Sequence, residues 1–326
     1  MISSAKPGTK PPADHGIPDF ASLDPGYNES MTLVVAIIAP GAMGAGVGKR
    51  LTSSGVRVLT TLAGRSEPTV TRARDAGMVA ASEEEIAAAD FVLSILPPGE
   101  ALALAQHLAP ILTASNAKPV YVDCNAINPA TVERVAAAIA PTGCPFVDAG
   151  IIGAPPPPIP SLQAGEDRVG VSGPRLYASG ADAFRFATLR QYGLDVRVLD
   201  GPPGAASALK MSYAGINKGT QAIAAAMMLA ATRAGSAAAL FDELSFSQKE
   251  LLAQLQRQLP MMPEKAYRWI AEMQEIAGFV ADDPAARELY EGAAHFYERI
   301  AEDFSAGKKD VAALTEFLGK GPVNRS

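Results

Sequence analysis

Lys210 is the first charge after nine uncharged residues, within the stretch "GPPGAASALKMSYAGINKG" (201–219). A helix beginning near Ala205 puts residues 210, 213, 214 and 217 on one face, a span of about 10 Å at 1.5 Å per residue. A lysine held in a partly apolar cleft has its charged form disfavoured, so its pKa falls towards neutrality. Such an amine can take the proton from a substrate hydroxyl as hydride leaves the same carbon, or return it in the reverse direction. The residues alone leave open a solvated lysine early in a helix. Tyr213, nearly one turn on, offers a second proton or polar contact, or packs as an ordinary tyrosine, and Asn217 ends the row.

Hydride chemistry needs a carrier, and "VVAIIAPGAMGAGVGKRL" (34–51) has the form of a nucleotide-binding turn. An apolar strand runs into a glycine turn and then a helix from about Met43. A dinucleotide turn asks for G-x-G-x-x-G, with the middle glycine admitting the pyrophosphate and the third letting helix and strand pack closely. Here the three positions hold Ala39, Gly41 and Gly44, with Pro40 stiffening the loop and Ala42 and Met43 leading into the helix. The first position has lost its glycine, and a plain tight turn is the competing interpretation. The second strand ends in "LTTLAGRSEP", with no acid before Glu67 to hold a ribose 2′-hydroxyl. Arg65 beside Ser66 suits a 2′-phosphate instead, so NADP(H) is preferred over NAD(H).

The elements around these residues alternate. Strands are expected at 32–39, 56–62, 78–81, 90–96, 119–124, 145–151, 168–173 and 195–200. Several are apolar on consecutive residues, as in parallel strands covered on both faces. Helices lie between them: "SEEEIAAA" (82–89) opens on a capping box of Ser82 and Glu85, and "NPATVERVAAAIA" (128–140) on Asn128 with Pro129 at its first position. This alternation predicts a Rossmann-type, doubly wound α/β domain over residues 31–202. Residues 203–326 carry almost no β-branched runs and predict an all-α region, broken near Gly235, Pro260–Pro263, Asp282–Pro284 and Gly307. "APPPPIP" (154–160) predicts a stiff extended loop, and the Pro-, Gly- and Ser-rich residues 1–30 a mobile tail.

Composition narrows the partners. A net charge of −6 argues against nucleic acid or an anionic membrane, leaving a small-molecule substrate. Two cysteines, Cys124 and Cys144, make no disulfide framework and fit a reducing compartment. Three separated histidines give no metal site. The start lacks a long apolar stretch or an Arg-rich presequence, and no later segment is apolar enough to span a bilayer. A soluble, cytoplasmic protein is expected.

The order of motifs resembles the β-hydroxyacid dehydrogenase and 6-phosphogluconate dehydrogenase superfamily over about residues 32–320. After the glycine turn come "ILPPGEA", then "VDCNAINPATV" where the family has D-x-S-T-x-x-P. "FVDAGIIGAP" stands where it has D-A-P-V-S-G-G, and the lysine helix follows. The later helices, with "YRWIAEMQEIA" (267–277), look like the short helical domain of a branch of uncharacterised function. The resemblance implies hydride transfer between NAD(P) and a small hydroxy acid or related carbon, in dimers formed through the helical domains. It makes Lys210 the general acid/base and places Leu96 and Pro97 beside the cofactor. It sets Asn125, in place of the family's serine, near nicotinamide and substrate, and lines the substrate pocket with Ile152, Gly153, Ala154 and Ala214. Ile152 replaces a carboxylate-binding serine, Ala214 the usual asparagine, and Asn217 the glutamate of the sugar-phosphate decarboxylating enzymes. An amide cannot act as that acid, and these departures imply a less anionic substrate. Two alternatives remain: C=N reduction of the imine reductase type, whose members normally replace the lysine, and an NADPH-binding sensor or assembly protein without turnover.

Overall fold

Consecutive apolar residues make the strands, because helices cover the sheet on both sides. The computed structural model describes residues 32–156 and 173–319. In it β1 (Val34–Ile38) turns into α1 (Ala42–Thr52), followed by β2 (Arg57–Thr60), α2 (Glu67–Asp75), β3 (Val79–Ala80), α3 (Glu83–Ala87) and β4 (Phe91–Ser94). The alternation continues through α4 (Ala101–Ala114), β5 (Val120–Asp123), α5 (Pro129–Ile139), β6 (Phe146–Ile152), β7 (Arg175–Ser179), α6 (Ala183–Ala187) and β8 (Asp195–Val198). One sheet results, ordered β3-β2-β1-β4-β5-β6-β7-β8, with every pairing parallel except β6 against β7. This is the doubly wound α/β architecture the sequence predicts. The strand order reverses between β1 and β4, and in such sheets ligands occupy the crevice at the carboxyl ends beside that reversal.

Local signals act as the sequence suggests. Ser82 accepts the N–H of Glu85 at 3.2 Å while the Glu85 carboxylate accepts the N–H of Ser82 at 2.8 Å. Asn128 caps α5 through the N–H of Thr131. One strand departs from expectation. The segment 168–172 lies outside the described residues and Gly173 is not in a strand, whereas Arg175–Ser179 forms β7. Its arginine and serine obscure the apolar run, and it is held by antiparallel pairing with β6. The expected tail at 1–30 and the loop residues 157–160 also lie outside the described residues.

The helical region comprises α7 (Ala205–Arg233), α8 (Ala237–Ser247), α9 (Lys249–Gln258), α10 (Met262–Phe279), α11 (Pro284–Ser305) and α12 (Lys309–Leu318). All four expected interruptions fall between helices, and a fifth at Gln248 separates α8 from α9. Met211, Ala225, Met228, Phe241, Met273, Tyr297, Ile300 and Phe317 form its core. Small residues on α7 permit close approach: a Cβ at Gly215 would lie 2.9 Å from the Tyr290 hydroxyl. No described helix is long and apolar enough to cross a membrane.

The turn after β1 exacts strain from its altered residue. Ala39 adopts φ +64°, the left-handed region that suits the glycine it replaces. The alternative handedness costs an alanine about 1–2 kcal/mol, while glycine would lose about 0.5–1 kcal/mol more chain entropy on folding. Ala39→Gly is therefore expected to stabilise the fold by roughly 0.5 kcal/mol in urea denaturation; a loss of stability of that size would show the turn to be unstrained.

Candidate active site

The glycine turn builds the first half of the site. A Cβ at Gly41 would meet nothing within 4 Å, so open space lies over the start of α1, where a phosphate can approach the backbone. A Cβ at Gly44 would lie 2.6 Å from the Ala39 carbonyl oxygen, so only glycine lets α1 pack so closely behind β1. The first turn of α1 carries no acid, which leaves the positive end of its dipole unopposed. Arg72 donates to the Pro40 carbonyl oxygen at 3.2 Å and braces the turn. Beside it, a crevice of about 570 Å³ is lined by Ile38, Gly64, Arg65, Ala81, Glu83 and His107, among others. The Arg65 guanidinium is exposed there with no hydrogen-bond or ion-pair partner among the described residues. Ser66 leads into α2, its hydroxyl 3.1 Å from that of Thr69.

The second half is α7 laid on β6. The sheet register pairs Asp123 of β5 with Asp148 of β6, and both carboxyl groups are buried. Asp148 accepts from the N–H groups of Gly204 and Ser207 at 2.8 and 3.1 Å, from the Ser179 hydroxyl at 3.0 Å and from the Ser207 hydroxyl at 2.6 Å. A carboxylate thus sits on the positive end of α7. One turn further along, Gly150 meets the helix. A Cβ there would lie 2.9 Å from the Ala206 carbonyl oxygen and 3.1 Å from the Lys210 Cβ. Lys210 is partly buried. Burial lowers its pKa, Glu272 and Asp123 work against this, and Lys218 lowers it further. Asp123 moves the other way: burial pushes its carboxyl up to about 7, although hydrogen bonds from Asn125 pull it down. Glu272 is itself ion-paired with Lys218, whose ammonium lies 5.1 Å from the centre of the Trp269 ring. Lys218 is therefore not free to hold a substrate anion.

Asn125 is buried, with its amide donating to Ser94 and Asp123 and its carbonyl accepting from the Leu96 N–H. Its side-chain polar groups are engaged within the protein. Leu96 and Pro97 follow β4 at the sheet's carboxyl end. Ala214 packs in the helical core with Met211. Tyr213 is half exposed, on a side of α7 that also bears Ile216, Ile223 and Met227. The Asn217 amide donates to the Tyr213 carbonyl oxygen at 2.9 Å. Ile152 ends β6 half-buried; Gly153, at φ +125°, backs onto Pro174, and Ala154 is exposed. Gly150, Asp148, Asp123 and Glu272 escaped the sequence reading; the shared aspartate in "VYVD" and "FVDAG" is the one signal that pointed to two of them.

Residues 34–157 match the NAD binding domain of 6-phosphogluconate dehydrogenase, and residues 231–300 match a domain of unknown function, DUF1932. The chain carries a nicotinamide dinucleotide-binding domain. That domain is joined to the helical domain of uncharacterised function that the motif order implies. A conserved protein of unknown function, itself described as structurally similar to 3-hydroxyacid dehydrogenases, is 29% identical with a TM-score of 0.63, over 86% of this chain and 99% of its own. A conserved hypothetical protein from Sinorhizobium meliloti is 21% identical with a TM-score of 0.63, over 88% of this chain and 97% of its own. Mycobacterium tuberculosis 3-hydroxyisobutyrate dehydrogenase, solved with L-serine, shares the fold at 21% identity and a TM-score of 0.58, over 88% and 99% of the two chains. No curated protein matches. The fold is shared with proteins described as 3-hydroxyacid dehydrogenase-like.

The contact at Gly150 is open to a direct test. Gly150→Ala must push α7 off β6 and is expected to cost about 1–3 kcal/mol in urea denaturation, with no such loss for an alanine at the open Gly41. Equal stability of the two variants would mean that α7 is not seated on the strand.

Proposed function

We propose that the protein is an NADP(H)-dependent oxidoreductase that moves a hydride between the nicotinamide and a small hydroxyl or carbonyl compound. The observation that carries this reading is Lys210 held against Gly150 with its pKa depressed by burial. The residues present fit an adenine dinucleotide: Gly41 leaves the space for phosphate, α1 offers its N-terminus, and Arg65, without a partner among the described residues, suits a 2′-phosphate. When bound, the nicotinamide supplies or accepts the hydride. Lys210 handles the proton, giving it to the carbonyl oxygen in reduction and taking it from the hydroxyl in oxidation. Lys218 is committed to Glu272 and Ile152 stands in place of a serine, which withdraws two groups that could bind an anion and favours a weakly charged substrate. We assign the protein to the cytoplasm on its composition.

The test is NADPH oxidation over panels of ketoacids, aldehydes and cyclic imines. Lys210→Ala is expected to lower kcat for the carbonyl substrate by about 10²–10⁴-fold. In the reductive direction the rate should fall as pH rises through the lysine's lowered pKa, because the ammonium is the acid. Turnover of imines alone, or a fully active Lys210→Ala variant, would overturn the proposal, and tight NADPH binding without any turnover would favour a sensor.

We further propose a homodimer sealed through α7. Tyr213, Ile216, Ile223 and Met227 recur three, seven and four residues apart on one side of a 29-residue helix, each more than half exposed. Sedimentation of the wild type is expected to give a dimer and that of Ile223→Glu/Met227→Glu a folded monomer; a wild-type monomer, or a double variant that stays dimeric, would remove this seam.

A further inference from the structure

Leu96 is the point at which β4 leaves the sheet for the loop that carries Pro97. The Cys124 N–H still bonds the Ser94 carbonyl oxygen at 2.9 Å. A regular parallel ladder would next give the Leu96 N–H the carbonyl of Cys124. But β5 ends at Asp123, and the Leu96 N–H goes instead to the side-chain carbonyl of Asn125. On the other side β1 is leaving too, and the Ile95 N–H reaches the Ile38 carbonyl oxygen only at 3.4 Å. The Asn125 side chain thus supplies the rung that the diverging strands no longer make.

Its own orientation is fully determined. The amide donates to the Ser94 hydroxyl at 2.8 Å and to one Asp123 oxygen at 3.0 Å, while the other Asp123 oxygen accepts the Asn125 backbone N–H at 2.9 Å. The residue is only 1% exposed. An amide can bridge two strands in this way because it presents a donor and an acceptor on separate atoms. A serine hydroxyl, at the same position in the family that the chain resembles, is shorter and puts both roles on one oxygen.

We propose that Asn125, oriented by Asp123, is a positioning residue that fixes the Leu96–Pro97 loop at the height needed to hold the nicotinamide end of the cofactor. The inference rests on the dinucleotide reading, but its first consequence does not, since the clamp belongs to the cofactor-free protein. Asn125→Ala should speed amide exchange in the peptide containing Leu96 by about five- to tenfold, the effect of losing one net hydrogen bond. Asn125→Ser, which keeps a short acceptor, should fall between this variant and wild type. The second consequence concerns the cofactor in two parts. Asn125→Ala should weaken NADPH about tenfold and alter the fluorescence of the bound nicotinamide. Affinity for 2′,5′-ADP, which lacks that ring, should stay within about twofold.

Exchange that is unchanged near Leu96, or raised across the whole sheet, would overturn the clamp. Equal weakening of NADPH and 2′,5′-ADP would overturn the positioning role. Failure of the wild type to bind either nucleotide would defeat the cofactor reading and the positioning role with it, while the exchange result would still decide the clamp. Should Asn125→Ala not fold, Asn125→Ser carries both measurements, with acceleration above wild type as the expected result and none as the refutation.

Discussion

The carboxylate of Asp148 at the start of α7 is the interaction on which the site depends. It gathers four donors from α7, the residue before it and β7, all in the interior. Buried N–H groups at a helix start are costly to leave unmatched, so this contact fixes both where α7 begins and the direction in which it leaves the sheet. Gly150 then sets how near the helix lies. The lysine's position follows from the two: a helical residue six places after Gly204 has little freedom once its first turn is anchored and its side rests on a strand without a Cβ.

The electrostatics follow from the same packing. Bringing α7 down on β6 places an amine and the Asp123 carboxyl in one interior region, and desolvation moves their proton affinities towards each other, the lysine's down and the acid's up. Glu272 and Lys218 hold one another on the far side and add opposing contributions at Lys210. The lysine's lowered proton affinity is then a property of where the helix was put, rather than of any special residue.

Much of the fold was legible in the sequence because buried parallel strands and capped helices leave local marks, such as consecutive apolar residues, Ser82 with Glu85, and Asn128 with Pro129. β7 was not, because its identity comes from pairing with β6 and its arginine and serine obscure the apolar run. The lysine stood out as an isolated charge. Gly150 did not, since its importance lies in a helix some sixty residues away, and nothing in "FVDAG" signals that neighbour. Asn125 was visible as a departure from the resembled motif, but its partner Leu96 lies 29 residues earlier, on a different strand. Tyr213 and Ala214 show the limit of face arguments. Adjacent residues on α7 have opposite fates, one half exposed and one in the helical core, because the packing partner of each side is decided elsewhere in the chain.

Asp148 has a counterpart. The Glu275 carboxylate of α10 accepts the N–H of Asn128 at 2.8 Å, just ahead of α5, and a Cβ at Gly278 would lie 2.9 Å from the Asn128 amide. The sheet region thus completes a helix of the helical region, and the helical region completes one of the sheet region. Excising either half would orphan polar groups in the other, so the two regions are tied together at the starts of both helices.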